Sequence, residues 1–314
     1  MDSRQVIDLT ASSDSEDHND TKPTRNTNRP KKMKAIGDYI RQRAANIGIT
    51  HSSEFSVEQL ATGASLSGTT TTILCNKHTR IHNTAFGDRG WACGYRNCQM
   101  LLSSLTTSRN SDSVSTFGRV PGDHGVVSVR ELQQMLELAW QEGFDADGAA
   151  QLGHRVLGTR KWIGATEAYC ILAHLGVRAH IVDFHCPTAA DGSHPALFEW
   201  IVEYFTSGIT DDPADDAASS QRVRFTDKHP LYLQHQGHSR TVVGVELADS
   251  GTNVLIFDPD VAVAHSESHP AELSQFRFPL ARTRNAGQYQ IVYVDNSPAT
   301  LAEIPKFISS TRVP

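Results

Sequence analysis

The sequence predicts a mixed α/β domain, and three observations lead there. Cys93, flanked by Gly90 and Gly94, runs straight into an apolar stretch with helical spacing: Met100, Leu101, Leu102 and Leu105. Between residues 229 and 258, three strand-like runs alternate with two turns. From about residue 80 to about residue 310, helical and strand patterns interleave with no internal repeat.

Composition bounds the function. The chain has 314 residues, 39% hydrophobic and 20% charged, with a net charge of −6. That is enough to bury a sizeable core, and the negative balance argues against nucleic acid as a partner. No apolar run approaches the ~18 residues of a membrane span, and the N-terminal residues lack a signal-peptide pattern, so neither secretion nor a membrane partner is expected. The five cysteines (Cys75, Cys93, Cys98, Cys170, Cys186) are odd in number and scattered, with no CxxC pair. No zinc site of the usual spacing is expected. Free thiols fit a reducing compartment, the nucleus or the cytoplasm.

Residues 1–33 are rich in Ser, Asp, Asn, Thr, Lys and Arg and read as a disordered tail, because they cannot bury enough apolar surface to offset their ordering entropy. Within it Val6, Ile7, Asp8 and Leu9 precede a run of acids and serines. A short β-branched strand with acidic flanks can add to the edge of a partner's sheet, and the stretch resembles a SUMO-interacting motif. Lys22, Arg25, Arg29, Lys31, Lys32 and Lys34 form a basic cluster that reads as a nuclear localisation signal or as a plain solvated charge run. Residues 34–79 are read as an N-terminal extension with a short helix over 35–48, and 80–314 as the folded domain. Within that domain, 207–222 is acidic with Gly, Pro and small residues and reads as a surface insertion.

Cys93 is the centre of the chemical argument. At the start of a helix, unpaired backbone N–H groups and the helix dipole favour a thiolate and can hold an oxyanion. Gly90 and Gly94 would let a bulky peptide approach the sulfur. Most lone cysteines are buried structural residues, but a core thiol has no need of a glycine-flanked helix start. Cys98, inside the helix, reads as core.

A thiolate nucleophile needs a base, and the base needs a third group to fix its tautomer. The chain has 15 histidines, so position must select one. Residues 229–235 read as a strand, 237–239 as a turn, 240–247 as a second strand, and 254–258 as a third. In such a meander the start of the second strand lies beside the end of the third. His238 and Asp258 stand at those two ends. His235 is the nearest rival, and it alternates across its strand with Gln234, whose amide is a candidate oxyanion donor. Cysteine first on a helix, then histidine and an acid on a central antiparallel sheet, is the papain-like order.

These blocks together resemble the C78 cysteine peptidases, the ubiquitin-fold-modifier-specific proteases and their zinc-finger-bearing deubiquitinating relatives. The resemblance rests on GDRGWACGYRNCQMLL around Cys93, KWIGATEAYCILAHLG at 161–176, LQHQGHSRTVVGVE at 233–246 and LIFDP at 255–259. It implies a papain-like α/β fold, no cofactor and no metal, with Cys93 as nucleophile, His238 as base, Asp258 as its orienter and Gln234 in the oxyanion hole. Modifier-specific members carry Asp-Pro-His where this chain has Asp258-Pro259-Asp260, so the resemblance is to the deubiquitinating branch. There Asp145, Trp162 and Glu167 would hold the arginine-rich tail of ubiquitin, since carboxylates pair bidentately with guanidinium. The expected function is hydrolysis of ubiquitin or polyubiquitin of the type used in DNA-damage signalling. The alternatives are a protease for another ubiquitin-like modifier and a catalytically silent ubiquitin- or SUMO-binding adaptor. The zinc fingers of the larger relatives have no counterpart in this sequence.

Overall fold

The computed structural model describes residues 55–66, 71–106, 127–209, 222–249, 251–265, 270–295 and 302–313, which lie in one unit spanning Phe55–Pro314. The acidic tail with Val6–Leu9, the basic cluster, the helix expected over 35–48 and most of the insertion at 207–222 fall outside the described residues.

In chain order the elements are α1 (Val57–Leu66), β1 (Thr71–Leu74), α2 (Cys93–Thr106), α3 (Val129–Gln141), α4 (Ala146–Gln151), α5 (Ala165–His174), β2 (Ala179–Phe184), α6 (Pro195–Thr206), β3 (Val223–Phe225), β4 (Leu231–His235), β5 (His238–Ala248), β6 (Gly251–Phe257), β7 (Arg277–Pro279), β8 (Tyr289–Val294) and β9 (Ser310–Val313). Among the described residues the strands form one mixed sheet, and β5 is its spine. One edge of β5 pairs antiparallel with β4 through residues 238–242 and then with β1 through 244–247. The other edge pairs with β6, and the sheet continues from β4 through β8 and β2 to β9.

Alternation along the strands divides the core in two. Ile181, Tyr232, Val292 and Val294 face α2–α5, where Leu101, Leu136, Ala168 and Leu172 are buried. Val182, Leu231, Leu233 and Ile291 face the other way, onto α1 and α6 with Leu60, Leu197 and Ile201. α3 starts at a capping box in which Ser128 and Glu131 satisfy each other's backbone N–H groups at 3.2 and 2.6 Å. Its apolar face, Leu132, Leu136, Ala139 and Trp140, is buried.

The meander expected over 229–258 is present, with one difference that matters. The turn is shorter than residues 237–239: His235 pairs with His238, and Gly237 bends the chain with φ 84°, a conformation glycine adopts without strain. His238 is thereby the first residue of β5, held by the ladder. Thr241 pairs with Phe257, so Asp258 emerges beside the start of β5, as the two-strand argument requires.

The boundary expected at residue 80 is corrected. β1 pairs with both β5 and β3, and Phe55, Val57, Leu60, Ile73 and Leu74 are buried in the core. The Thr- and Ser-rich composition of 49–75 hid a strand whose residues Thr72, Ile73 and Leu74 are all buried. A chain beginning at residue 80 is therefore expected to lose cooperative unfolding and expose apolar surface to a dye such as ANS, while a chain beginning at Phe55 keeps a sharp transition. Cooperative unfolding of the shorter chain would contradict the assignment of α1 and β1 to the domain.

Candidate active site

The site forms where α2 meets the start of β5. Ala92 O accepts from Arg96 N at 2.9 Å, so Cys93 is the first residue inside the helix and its own N–H is among those with no intrahelical acceptor. The preceding loop is pinned by Asp88, which accepts from Ala85 N at 2.5 Å and pairs with Arg96 on the first turn of α2. Gly94 is required for a reason other than substrate access. A Cβ there would lie 2.6 Å from the Ile163 side chain and 2.7 Å from its carbonyl oxygen. The 161–164 segment crosses the helix start at van der Waals contact and leaves no room for one.

The imidazole of His238 bonds Asp258 through Nε2 (3.0 Å), and its ring is electrostatically coupled to the half-buried Cys93 thiol. Burial alone would lower the His238 pKa, but its bonds to Asp258 and Cys93 prevail and raise it to about 9. Burial likewise opposes ionisation of Cys93, yet the bond from His238, bonds from the side chain and backbone of Ser239, and the His238 charge hold the thiol below its ordinary value. The Asp258 carboxyl, which burial would raise, is lowered by its bond to His238 and by the charges of His238 and Arg240. Each group thus favours the charged form of the other: His238 draws Cys93 toward the thiolate, and Cys93 draws His238 toward the imidazolium. The other described thiols with displaced values move oppositely: burial pushes Cys75 up to about 12 and raises Cys98 and Cys170. Cys98 is core, as expected.

Arg240, which sequence reasoning missed, completes the set. Its Nε donates to Asp258 Oδ2 at 2.8 Å and its Nη1 donates to His235 Nε2 at 2.9 Å. His235 therefore faces Arg240. Burial and the neighbouring Arg240 charge lower its pKa, and its Nδ1 donates to Gln236 O at 2.9 Å. Strand alternation gave the signal: Arg240 is two residues from His238 on the same face of β5. His238, Asp258 and Asp260 carry potential metal-ligand atoms within 4.8 Å of one another, but the Arg240 guanidinium already bonds the Asp258 carboxylate and would repel a cation there.

Gln234 lies opposite Ser239 in the ladder, so it shares the face that meets α2. Its amide rests on Gly164, where an added Cβ would come within 2.8 Å of Nε2, and its Oε1 has no hydrogen-bond partner.

The second group of expected residues gathers at the starts of α4 and α5. Trp162 is 56% exposed, not a core aromatic. Asp145 caps α4 through Oδ1, accepting from Gly148 N at 3.1 Å, while its Oδ2 is buried with no partner. Glu167 is buried, not a solvated surface acid; its Oε2 accepts from Gly164 N at 2.7 Å and its Oε1 from Thr166 Oγ1 at 3.2 Å. Burial raises both carboxyl pKa values, and the Asp145 charge raises that of Glu167 further. Half-buried Asp145 and buried Glu167 stand here with no ion pair to either among the described residues, an arrangement whose cost falls when a guanidinium arrives.

A cysteine at a helix start with a histidine and an aspartate at the end of an antiparallel sheet is the arrangement of papain-like cysteine peptidases. Residues 68–292 match Peptidase family C78. The chain belongs to that family. It is 40% identical over 222 residues to zinc finger-containing ubiquitin peptidase 1 of Homo sapiens, an alignment covering 68% of this chain and 36% of the relative. It is 33% identical over 208 residues to ubiquitin carboxyl-terminal hydrolase mug105 of Schizosaccharomyces pombe, covering 66% and 75%. The chain thus spans about a third of the length of the zinc-finger relatives. A crystal structure of UfSP from C. elegans superposes with a TM-score of 0.43 at 18% identity, covering 78% of this chain and 38% of that one.

Replacing His238 with Ala should slow iodoacetamide labelling of Cys93 at neutral pH about tenfold or more, one pKa unit or above in the thiol. Replacing His235 with Ala should slow it much less. Equal losses, read by mass spectrometry of the Cys93 peptide, would mean that the base lies elsewhere.

Proposed function

We propose that this chain is a deubiquitinase, a thiol isopeptidase in which Cys93 is the nucleophile, His238 the acid–base and Asp258 its orienter. The Cys93 thiolate adds to the carbonyl carbon at the C-terminus of ubiquitin, forming an S–C bond. The oxyanion is held by the free N–H at the start of α2 and by the Gln234 amide. His238 passes its proton to the departing lysine amine as the C–N bond breaks, leaving a thioester. Water, deprotonated by His238, attacks that thioester, the C–S bond breaks and the thiolate returns.

The observation that carries the ubiquitin reading is the uncompensated acid pair Asp145 and Glu167 beside exposed Trp162. An arginine from the ubiquitin tail would neutralise it while Trp162 covers the guanidinium. The relatives named for ubiquitin support the same substrate. So does Asp260, which stands where modifier-specific members carry histidine.

The test uses ubiquitin and ubiquitin-fold-modifier activity probes side by side, with a cleavable ubiquitin substrate. The wild type should react with the ubiquitin probe, and Cys93→Ala should lose both labelling and cleavage while remaining folded. Asp145→Asn should lower kcat/KM on ubiquitin by roughly thirtyfold or more, the cost of about 2 kcal/mol for a charge pair losing one partner. Glu167 caps its own helix, so Glu167→Gln, which keeps an acceptor for Gly164 N, is the informative variant there. Iodoacetamide labelling of Cys93 should survive both changes. Reaction with the modifier probe alone, or full cleavage by Asp145→Asn, would overturn the substrate assignment.

A further inference from the structure

The turn that follows β6 is fastened to the loop that leads into Cys93. Val261 N donates to Asp258 O at 3.1 Å, closing residues 258–261 into a turn. Thr84 N donates to Pro259 O at 2.8 Å, and Asn83 Nδ2 donates to Pro259 O at 3.1 Å and to Val261 O at 2.7 Å. This fastening fixes a carboxylate that the triad chemistry leaves unused. Asp260 N donates to Asp258 Oδ1 at 3.1 Å, and Asp260 Oδ1 accepts from Thr84 Oγ1 at 2.7 Å. Thr84 Oγ1 also lies 3.3 Å from Pro259 O, but that oxygen already accepts two N–H groups, and a hydroxyl donates more strongly to a carboxylate. Asp260 Oδ2 is left 3.9 Å from His238 Nδ1.

His238 has two ring nitrogens, and Nε2 is taken by Asp258. Nδ1 is therefore the atom that must pass a proton to the leaving amine. It stands too far from Asp260 Oδ2 for a hydrogen bond between them, yet one nitrogen can stand about 2.9 Å from both. When Nδ1 protonates the amide nitrogen of the tetrahedral intermediate, that nitrogen becomes cationic. The C–N bonding pair then collapses onto it, a neutral amine departs, and the acyl group stays on sulfur as the thioester. A carboxylate beside Nδ1 faces a positive charge that exists only while this bond is breaking. The Asp260 side chain is 36% exposed, so a lysine can reach it from solvent. The same two fastened segments carry exposed Phe86 and Val261, apolar surface of the kind that lysine methylenes cover.

We propose that Asp260 is a further catalytic residue: its Oδ2 accepts an N–H from the departing lysine amine, and Thr84 is a positioning residue that holds the carboxylate there. This rests on the deubiquitinase reading. Asp145 and Glu167 then serve the acyl side of the scissile bond, and Asp260 serves the amine side. A thiol leaving group has no N–H and acquires no positive charge, so it gains nothing from this carboxylate.

The test compares, in the full chain, kcat/KM for two ubiquitin substrates that differ in the leaving group. One is ubiquitin joined by an isopeptide bond to the lysine of a short peptide; the other is a ubiquitin thioester of mercaptoethanol. Asp260→Asn, which still accepts from Thr84 Oγ1, should lower the isopeptide-to-thioester ratio about tenfold, the worth of one hydrogen bond to a charged group. Thr84→Val, which frees the carboxylate to turn away, should lower the ratio in the same direction by less. It decides alone if Asp260→Asn does not fold. A carboxylate that only steadied the His238 charge would slow both substrates alike, because both need the Cys93–His238 pair. An unchanged ratio for Asp260→Asn, or in its absence for Thr84→Val, would overturn the proposal, whether the two rates fall together or stay at the wild-type level. A separate outcome concerns the underlying reading: if the wild type cleaves neither substrate, the chain is not a deubiquitinase and the proposal falls with it.

Discussion

Neither Cys93 nor His238 would hold its charge alone at this depth. Burial pushes each toward its neutral form, and each draws the other back toward its charged form. The pair needs an anchor on its far side, and Asp258 supplies it through Nε2. Asp258 is itself kept ionised by Arg240, whose second nitrogen is taken up by His235. A line of alternating charge thus runs from the helix start across the end of the sheet. Remove one member and its neighbour becomes a buried, unmatched ion, a costly state.

The fold exists around that line as a means of bringing two distant stretches of chain together. β5 carries His238, Ser239, Arg240 and Thr241 in sequence, and the alternation of a strand sends them to two faces. The even-numbered pair builds the histidine–carboxylate side, and the odd-numbered pair grips α2. Because β5 pairs with β4, β1 and β6 at once, it has little freedom to shift. Stability is coupled to the same charges. His238, raised from 6.5 to about 9, contributes fully below pH 6.5, a contribution lost as pH rises through about 9. Asp258, lowered from 3.8, contributes above that value and loses its contribution as pH falls through the lowered one.

Much of this was legible in the sequence because it is local or periodic. The glycine-flanked start of α2 announces Cys93, and two turns in a meander bring His238 and Asp258 together. What stayed hidden was contact between segments far apart in sequence. Asn97 reads as an ordinary helix residue until Ser239 and Thr241 are seen across from it. Gly94 looks like an allowance for substrate, but the space is filled by Ile163. Glu167 looks like a surface acid because its capping partner, Gly164, is a backbone N–H with no side chain to signal it. β1 was missed since threonine-rich composition resembles a loop, and only pairing with β5 makes it a strand.

The central claim is that Cys93 and His238 are coupled, each favouring the other's charged form. Histidine-labelled NMR, following the His238 ring through a pH titration in the wild type and in Cys93→Ala, measures that directly. The account predicts a wild-type His238 that stays protonated to about pH 9 and titrates at distinctly lower pH once the Cys93 thiol is gone. A His238 that titrates near its ordinary value of 6.5 in both proteins would contradict it.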